Sequence, residues 1–134
     1  MPKIKFLTLK QVIFIHKKVI SLHGGAHGLR DINLLKSAIA QPKMSFEGKF
    51  LHPNICDMAA AYFFHIIKNH AFVDGNKRTG LLATTVFIEQ NSGSINITPN
   101  QFYQLAIDIA CSKTSKDELV KIFKKSLTKT RKNK

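Results

Sequence analysis

The sequence predicts an all-α fold, a compact bundle of about six helices with a short flap or hairpin near residues 43–52. Three observations predict it. Apolar residues recur at helical spacing along most of the chain. Capping signals divide it into segments of ordinary helix length. With 134 residues and 44% hydrophobic content, the chain is large enough for one core. Residues 1–127 are expected to form one domain, and residues 128–134 a basic, disordered tail.

The first helix is expected over 9–22, with Thr8 as cap and Leu9, Val12, Ile13, Val19 and Ile20 turned inward. His23-Gly24-Gly25 reads as its C-terminal stop. Asp31 caps a second helix through Ala40, which Pro42 follows. Residues 43–52 lack helical caps, so a plain loop and a flap or hairpin both stay open. Pro53 suits the first turn of a third helix. There Ile55, Met58, Ala59, Tyr62, Phe63, Ile66 and Ile67 keep helical spacing. Leu81, Leu82, Thr85, Val86, Ile88 and Glu89 indicate a fourth, which Asn91 to Gly93 ends. Ile95 to Ile97 could make a short extended piece. Thr98-Pro-Asn-Gln101 is a capping box with Pro at the first helical position, starting a helix to about Ser112. Ser115-Lys-Asp-Glu118 is a second capping box, for a last helix to about Leu127.

The formal net charge is +13. Lys121, Lys124, Lys125, Lys129, Arg131, Lys132 and Lys134 crowd the end, with no acidic residue after Glu118. Such a field suits an acidic protein partner, nucleotide phosphates or nucleic acid, or it simply solubilises. No apolar run reaches the ~18 residues of a membrane span, and the N-terminus lacks a signal-peptide core. A cytoplasmic protein is expected. Cys56 and Cys111 both fall in apolar helical patterns and read as reduced, buried thiols. No Cys/His cluster has zinc spacing. Histidines 16, 23, 27, 52 and 65 are scattered and read as structural or exposed, with His52, before Pro53, the best placed of them for a function.

The chemistry concentrates between the third and fourth helices, in His70-Ala-Phe-Val-Asp74-Gly75-Asn76-Lys77-Arg78-Thr-Gly80. An imidazole, a carboxylate, a turn dipeptide and two cations stand together there. A general base, a metal-binding carboxylate and a phosphate cradle need those groups. Gly75-Asn76 tolerates positive φ, and Asn76 could cap the fourth helix. The N–H groups at that helix start would attract an anion. Lys77 and Arg78 would sit in the first turn. Cations there oppose the macrodipole by roughly 0.3–1 kcal/mol each, a cost most easily tolerated beside a phosphate. Phe72 would anchor the loop in the core. Each residue alone has a simpler reading: His70 as a helix C-cap, Asp74-Gly75 as a turn, Lys77 and Arg78 as solvated charge. The combination points to an anion or nucleotide site. The Walker-type Gly-x-x-x-x-Gly-Lys is lacking, which argues against a P-loop kinase.

The segment resembles the signature of the Fic/Doc superfamily, His-x-Phe-x-Asp/Glu-Gly/Ala-Asn-x-Arg. Lys77 resembles the Doc (death-on-curing) branch, where Fic proteins usually carry Gly. Thr79-Gly80, His23-Gly-Gly25, Gly28-Leu-Arg-Asp31, Leu34-Leu-Lys-Ser-Ala38 and Asn91-Ser-Gly93 also resemble Doc sequences. The likeness covers about residues 8–125. It implies a toxin of a toxin–antitoxin pair, a kinase that phosphorylates a hydroxyl of a translation factor, elongation factor Tu, and arrests protein synthesis. By position it implies His70 as general base and Asp74 as the Mg²⁺ ligand. Gly75, Asn76, Lys77 and Arg78 would hold the phosphates of ATP. Ser45, Phe46, Glu47, Gly48, Lys49 and Phe50 would form a flap edge that docks the target by strand pairing.

Lys77, and Leu81 where Fic enzymes have a second arginine, weigh against AMP transfer, which stays as the alternative. A non-enzymatic basic module binding nucleic acid non-specifically through the tail is the second alternative. The resemblance also implies an antitoxin. Some Fic proteins carry their own inhibitory helix, with Ser/Thr-x-x-x-Glu-Gly/Asn. Thr114 to Glu118 is the nearest match, and Leu119 breaks it, so inhibition in trans is expected.

Overall fold

The computed structural model describes residues 3–129. Among the described residues there are six α-helices: α1 (Leu9–His23), α2 (Ile32–Ala40), α3 (Ile55–Asn69), α4 (Asn76–Gln90), α5 (Pro99–Ala110) and α6 (Lys116–Ser126). A 3-10 turn, Gln41–Lys43, prolongs α2. Two antiparallel pairs accompany the helices. β1 (Ser45–Phe46) pairs with β2 (Lys49–Phe50), and β3 (Gly93–Ile95) with β4 (Leu127–Lys129). The predicted helical class and the predicted hairpin are both present.

α3 runs through the middle, packed by α2, α4, α5 and α6, while α1 covers α4. Met58, Ala59, Ala60, Ala61, Tyr62, Phe63, Ile66 and Ile67 of α3 are buried, so apolar residues face nearly all round, as a central helix requires. Phe63 packs on Phe102 of α5 and Phe123 of α6, with ring centroids 5.0 and 5.9 Å away. Fully burying one such ring stabilises by about 1.5–3 kcal/mol. On the other side Tyr62 meets Phe87 of α4 at 4.8 Å, and its hydroxyl accepts from the Leu7 N–H at 2.8 Å. α4 approaches α3 closely at Gly80, where an added Cβ would stand 3.0 Å from Ile67 Cγ1.

The caps explain the helix boundaries. Thr8, Thr98 and Ser115 each accept from the third N–H of their helix and are answered by Gln11, Gln101 and Glu118. Asp31 accepts from the Asn33 and Leu34 N–H groups. Gly24, at φ 81, ends α1 as expected. Other boundaries differ from the sequence reading. Asn54, not Pro53, opens α3, because its carboxamide accepts from the Asp57 N–H at 3.0 Å and Pro53 lies before it. Gly75 rather than Asn76 stands at the N-cap of α4, since only glycine takes its φ of 77 without strain. α5 stops at Ala110 rather than Ser112. The extended piece begins at Gly93 rather than Ile95.

β4 was not foreseen. Its register sets Ile95 opposite Leu127 and Gly93 opposite Lys129, so the backbone is paired two residues beyond the expected end of the domain. The rest of the expected tail, 130–134, lies outside the described residues. Cys111 is exposed at the end of α5, whereas a buried thiol was expected. Cys56 is buried, and both are free. No helix among the described residues is long and apolar enough to cross a membrane.

Candidate functional site: the loop between α3 and α4

α3 ends in a residue that reverses the chain. His70 is its C-cap, in the left-handed region at φ 49 and ψ 52. This conformation is uncommon for a residue bearing a Cβ, and histidine is among the residues enriched in it. Ala71 and Phe72 then dive into the core, each no more than 2% exposed. The chain resurfaces at Val73 and Asp74, turns at Gly75, and enters α4.

Asn76 ties this loop shut. Its Oδ1 accepts from the Phe72 N–H at 3.0 Å, and its Nδ2 donates to the Phe72 carbonyl at 2.9 Å. The residue is 5% exposed, so its amide replaces water for both backbone groups. Below the loop lies His16 of α1. Its ring stacks on Phe72 with centroids 3.8 Å apart and planes 6° from parallel. Its Nε2 lies 2.8 Å from the Asp74 carbonyl, which can only accept, so this nitrogen carries the proton. Burial holds the His16 pKa below the usual histidine value, opposed by the bond to Asp74 and helped by nearby His27. The Gly75 α-carbon is hemmed in as well: a Cβ there would meet Ile20 Cδ1 at 3.0 Å.

The Asp74 carboxylate faces solvent. Oδ2 accepts from the Ala26 N–H at 3.2 Å and Oδ1 from the Gly75 N–H at 2.9 Å. These two bonds, then Lys77 and His16, hold its pKa below the ordinary aspartate value, against slight desolvation. The group is therefore an anion at neutral pH, with lone pairs to spare for a cation. Among the described residues no three His, Cys, Asp or Glu side chains converge as a metal cage. One carboxylate suits Mg²⁺, which takes one or two carboxylates plus phosphate oxygens and water.

α4 begins beside Asp74. Its first internal bond runs from the Thr79 N–H to the Gly75 carbonyl at 2.9 Å. The N–H groups of Asn76, Lys77 and Arg78 thus form the electropositive helix start. Lys77 is half-buried and Arg78 exposed. The Arg78 guanidinium lies 5.1 Å from the Tyr103 ring centroid and borders an open cleft of about 320 Å³ shared with His23, Leu82 and Tyr103.

The structure thus gathers His70, Asp74, Gly75, Asn76, Lys77 and Arg78 on one loop, with unequal parts. The Gly75 N–H is turned onto Asp74 and the Asn76 side chain onto Phe72, so both shape the turn. Lys77 and Arg78 are the cationic side chains that reach the surface. The hairpin is edged by Phe46 and Phe50, 67% and 44% exposed. Its turn residues Glu47 and Gly48 both have positive φ, the geometry that matches strand twist. Phe50 packs on Phe6 at 5.7 Å. His52 has other company: its electrostatic neighbours are Lys116 and Asp57, and its Nδ1 is buried without a hydrogen bond.

Three residues that support the loop were not foreseen: His16, Ala26 and Arg30. Leu29 forms an isolated antiparallel bridge with Phe72. The Val73 N–H donates to the Gly28 carbonyl at 3.0 Å, and the N–H groups of Arg30 and Asp31 both donate to the Ala71 carbonyl. The Arg30 side chain donates to the His70 carbonyl from Nε at 2.9 Å and Nη2 at 2.6 Å. For His16 a signal existed: it falls on the inward stripe of α1 with Val12, Val19 and Ile20. For Arg30 the signal was the Gly28-Leu-Arg-Asp31 stretch, which carried a resemblance but no role.

Comparison with known proteins agrees with this loop. "Toxin Doc" of Mycolicibacterium smegmatis (strain ATCC 700084 / mc(2)155) is 41% identical over 68 residues, 51% of this chain and 52% of that protein. "Protein kinase doc" of Escherichia phage P1 is 25% identical over 97 residues, 71% of this chain and 75% of that protein. The chain spans about half the length of the first of these relatives. The Fic/DOC family model matches residues 6–88, from just before α1 to the last turn of α4, and so takes in the whole loop and its supports. That match covers more than half of the sequence, and the chain belongs to the Fic/DOC family.

Proposed function

We propose that this chain is a Doc-like toxin that transfers the γ-phosphate of Mg-ATP to a Ser or Thr hydroxyl of a translation factor, elongation factor Tu being the expected target. The observation that carries the reading is the loop itself. An exposed histidine at the end of α3, an ionised aspartate and the cationic start of α4 lie within one turn held rigid from below. The name of the phage relative, a protein kinase, supports the choice of a kinase.

In this reading His70 accepts the proton of the target hydroxyl as its oxygen attacks phosphorus and the bond to the bridging oxygen of ADP breaks. A positioned base contributes typically about 10²–10⁴-fold. Asp74 would hold Mg²⁺, which supplies charge neutralisation on the phosphate oxygens. Lys77 and Arg78 meet the phosphates with the N–H groups of the first turn of α4, the lysine as a point charge and the arginine as a fork. Asn76 and Gly75 hold the turn that presents them. Phosphoryl transfer needs chiefly positioning and charge stabilisation, which a loop this small can provide. The exposed Phe46 and Phe50 hairpin would dock the target. The protein would act in the cytoplasm and be silenced in trans by an antitoxin.

The test is transfer of label to protein in a cell extract. ATP labelled at the γ-phosphate should mark a protein, ATP labelled at the α-phosphate should not, and His70→Ala should reduce labelling by about 10²-fold or more. Labelling from the α-phosphate alone would make the chain an AMP transferase. No labelling from either would end the enzymatic reading and favour a nucleic-acid-binding module.

A further inference from the structure

We infer that Arg30 is a positioning residue for His70: its guanidinium fork locks the carbonyl of the proposed base and thereby fixes where the imidazole can reach. This rests on the functional reading above.

The geometry is unusually specific for a residue 40 positions away. Nε and Nη2 of Arg30 both donate to the His70 carbonyl, at 2.9 and 2.6 Å, and Nη2 lies 3.4 Å from the Asn69 carbonyl. The next carbonyl, of Ala71, accepts from the backbone N–H groups of Arg30 and Asp31 at 2.7 and 3.0 Å. Two successive peptide planes of the loop therefore end on one dipeptide. Leu29 bridging Phe72, and Gly28 accepting from Val73, extend the contact by two residues.

His70 needs such a partner. It is a left-handed residue with a side chain, a conformation that drifts to the right-handed or extended basin unless surroundings hold it. Any such drift rotates the His70 carbonyl, and the two guanidinium bonds oppose that rotation. With the peptide fixed, only the two side-chain torsions place the ring. The carbonyl end of α3 is also its negative pole, so a cation suits it. Arg30 is itself exposed. Its removal leaves no void in the core, so its effect falls on loop geometry rather than on the fold. Lysine at this position would keep the charge but could not grip one oxygen with two nitrogens.

The experiment compares the full chain with Arg30→Ala and Arg30→Lys. Label transfer from γ-labelled ATP gives kcat and KM, calorimetry gives ATP affinity, and hydrogen exchange follows the amides of Arg30 (or its replacement), Asp31 and Val73. Arg30→Ala should lower kcat by about 10- to 100-fold, with KM for ATP and the melting temperature little changed, and should speed exchange at these amides. Arg30→Lys should fall between it and the unaltered chain. Unchanged kcat in Arg30→Ala, full activity in Arg30→Lys, or a loss confined to KM would each overturn the proposal. If Arg30→Ala fails to fold, Arg30→Lys decides by the same measures. Should the unaltered chain transfer no label, the functional reading falls. Exchange then judges the clamp alone: faster in Arg30→Ala supports it, unchanged refutes it.

Discussion

His16 shows how one side chain sets a loop. It donates to the Asp74 carbonyl and lies flat on Phe72, and burial disfavours its imidazolium form. His65 makes the same point more strongly. It is half-buried in α3 with Lys116 Nζ 3.0 Å from its Nε2, and burial, then Lys116, then His52 push its pKa down to about 4. His52 is lowered too, by burial first and Lys116 second, with the charge of Asp57 opposing. The sign follows. Below pH 6.5 the unfolded chain protonates these histidines while the folded chain resists, so acid favours unfolding. Stability should be level just above pH 6.5 and decline from there toward pH 4. Urea denaturation at pH 7 and pH 5 should show a lower midpoint at pH 5, and His65→Gln should shrink the difference. Equal midpoints would refute the assignment. From sequence the loop's own residues were legible because they sit together in the chain. The roles of His16, Ala26 and Arg30 were not, since each is fixed by a contact 40 to 58 residues distant.

At the scale of elements, caps and turns did the specifying. Thr8, Asp31, Thr98 and Ser115 open their helices as written, since each cap is a local hydrogen bond. The β3–β4 pair was illegible for the opposite reason. Gly93–Ile95 is a strand only because Leu127–Lys129 returns to it across α5 and α6. Helix–helix distance has its own determinant in Gly80, where α4 presses on Ile66 and Ile67 of α3. Gly80→Leu would drive a branched side chain into that contact and should cost about 1–3 kcal/mol, read as a lower denaturation midpoint. Because α4 carries Lys77 and Arg78 on its first turn, the same variant should weaken the ATP binding proposed for that turn, measured by calorimetry. An unchanged midpoint would mean that the two helices part freely.

The whole molecule is built around one central helix, with both ends of the described chain tied back to it or to its neighbour. Leu7 donates to Tyr62 of α3, Asn91 grips the backbone of Lys5, and β4 closes on β3 beyond α4. This brings the helices that flank the α3–α4 loop under restraint from both sides, while the net charge of +13 leaves the exterior strongly cationic. Such a surface attracts acidic partners and nucleotides alike, with ionic strength screening both. The two cysteines occupy opposite circumstances within this frame. Cys56 is buried, and desolvation lifts its thiol to about 11, whereas Cys111 stands at the exposed end of α5. Thiolate is the reactive species, so a maleimide dye at neutral pH should attach once per folded chain, at Cys111, and twice in urea. Mass spectrometry of the tagged peptides checks this. The native protein thereby offers a ready-made fluorescent handle, two turns of helix past Tyr103, from which nucleotide or partner arrival could be watched without engineering the sequence.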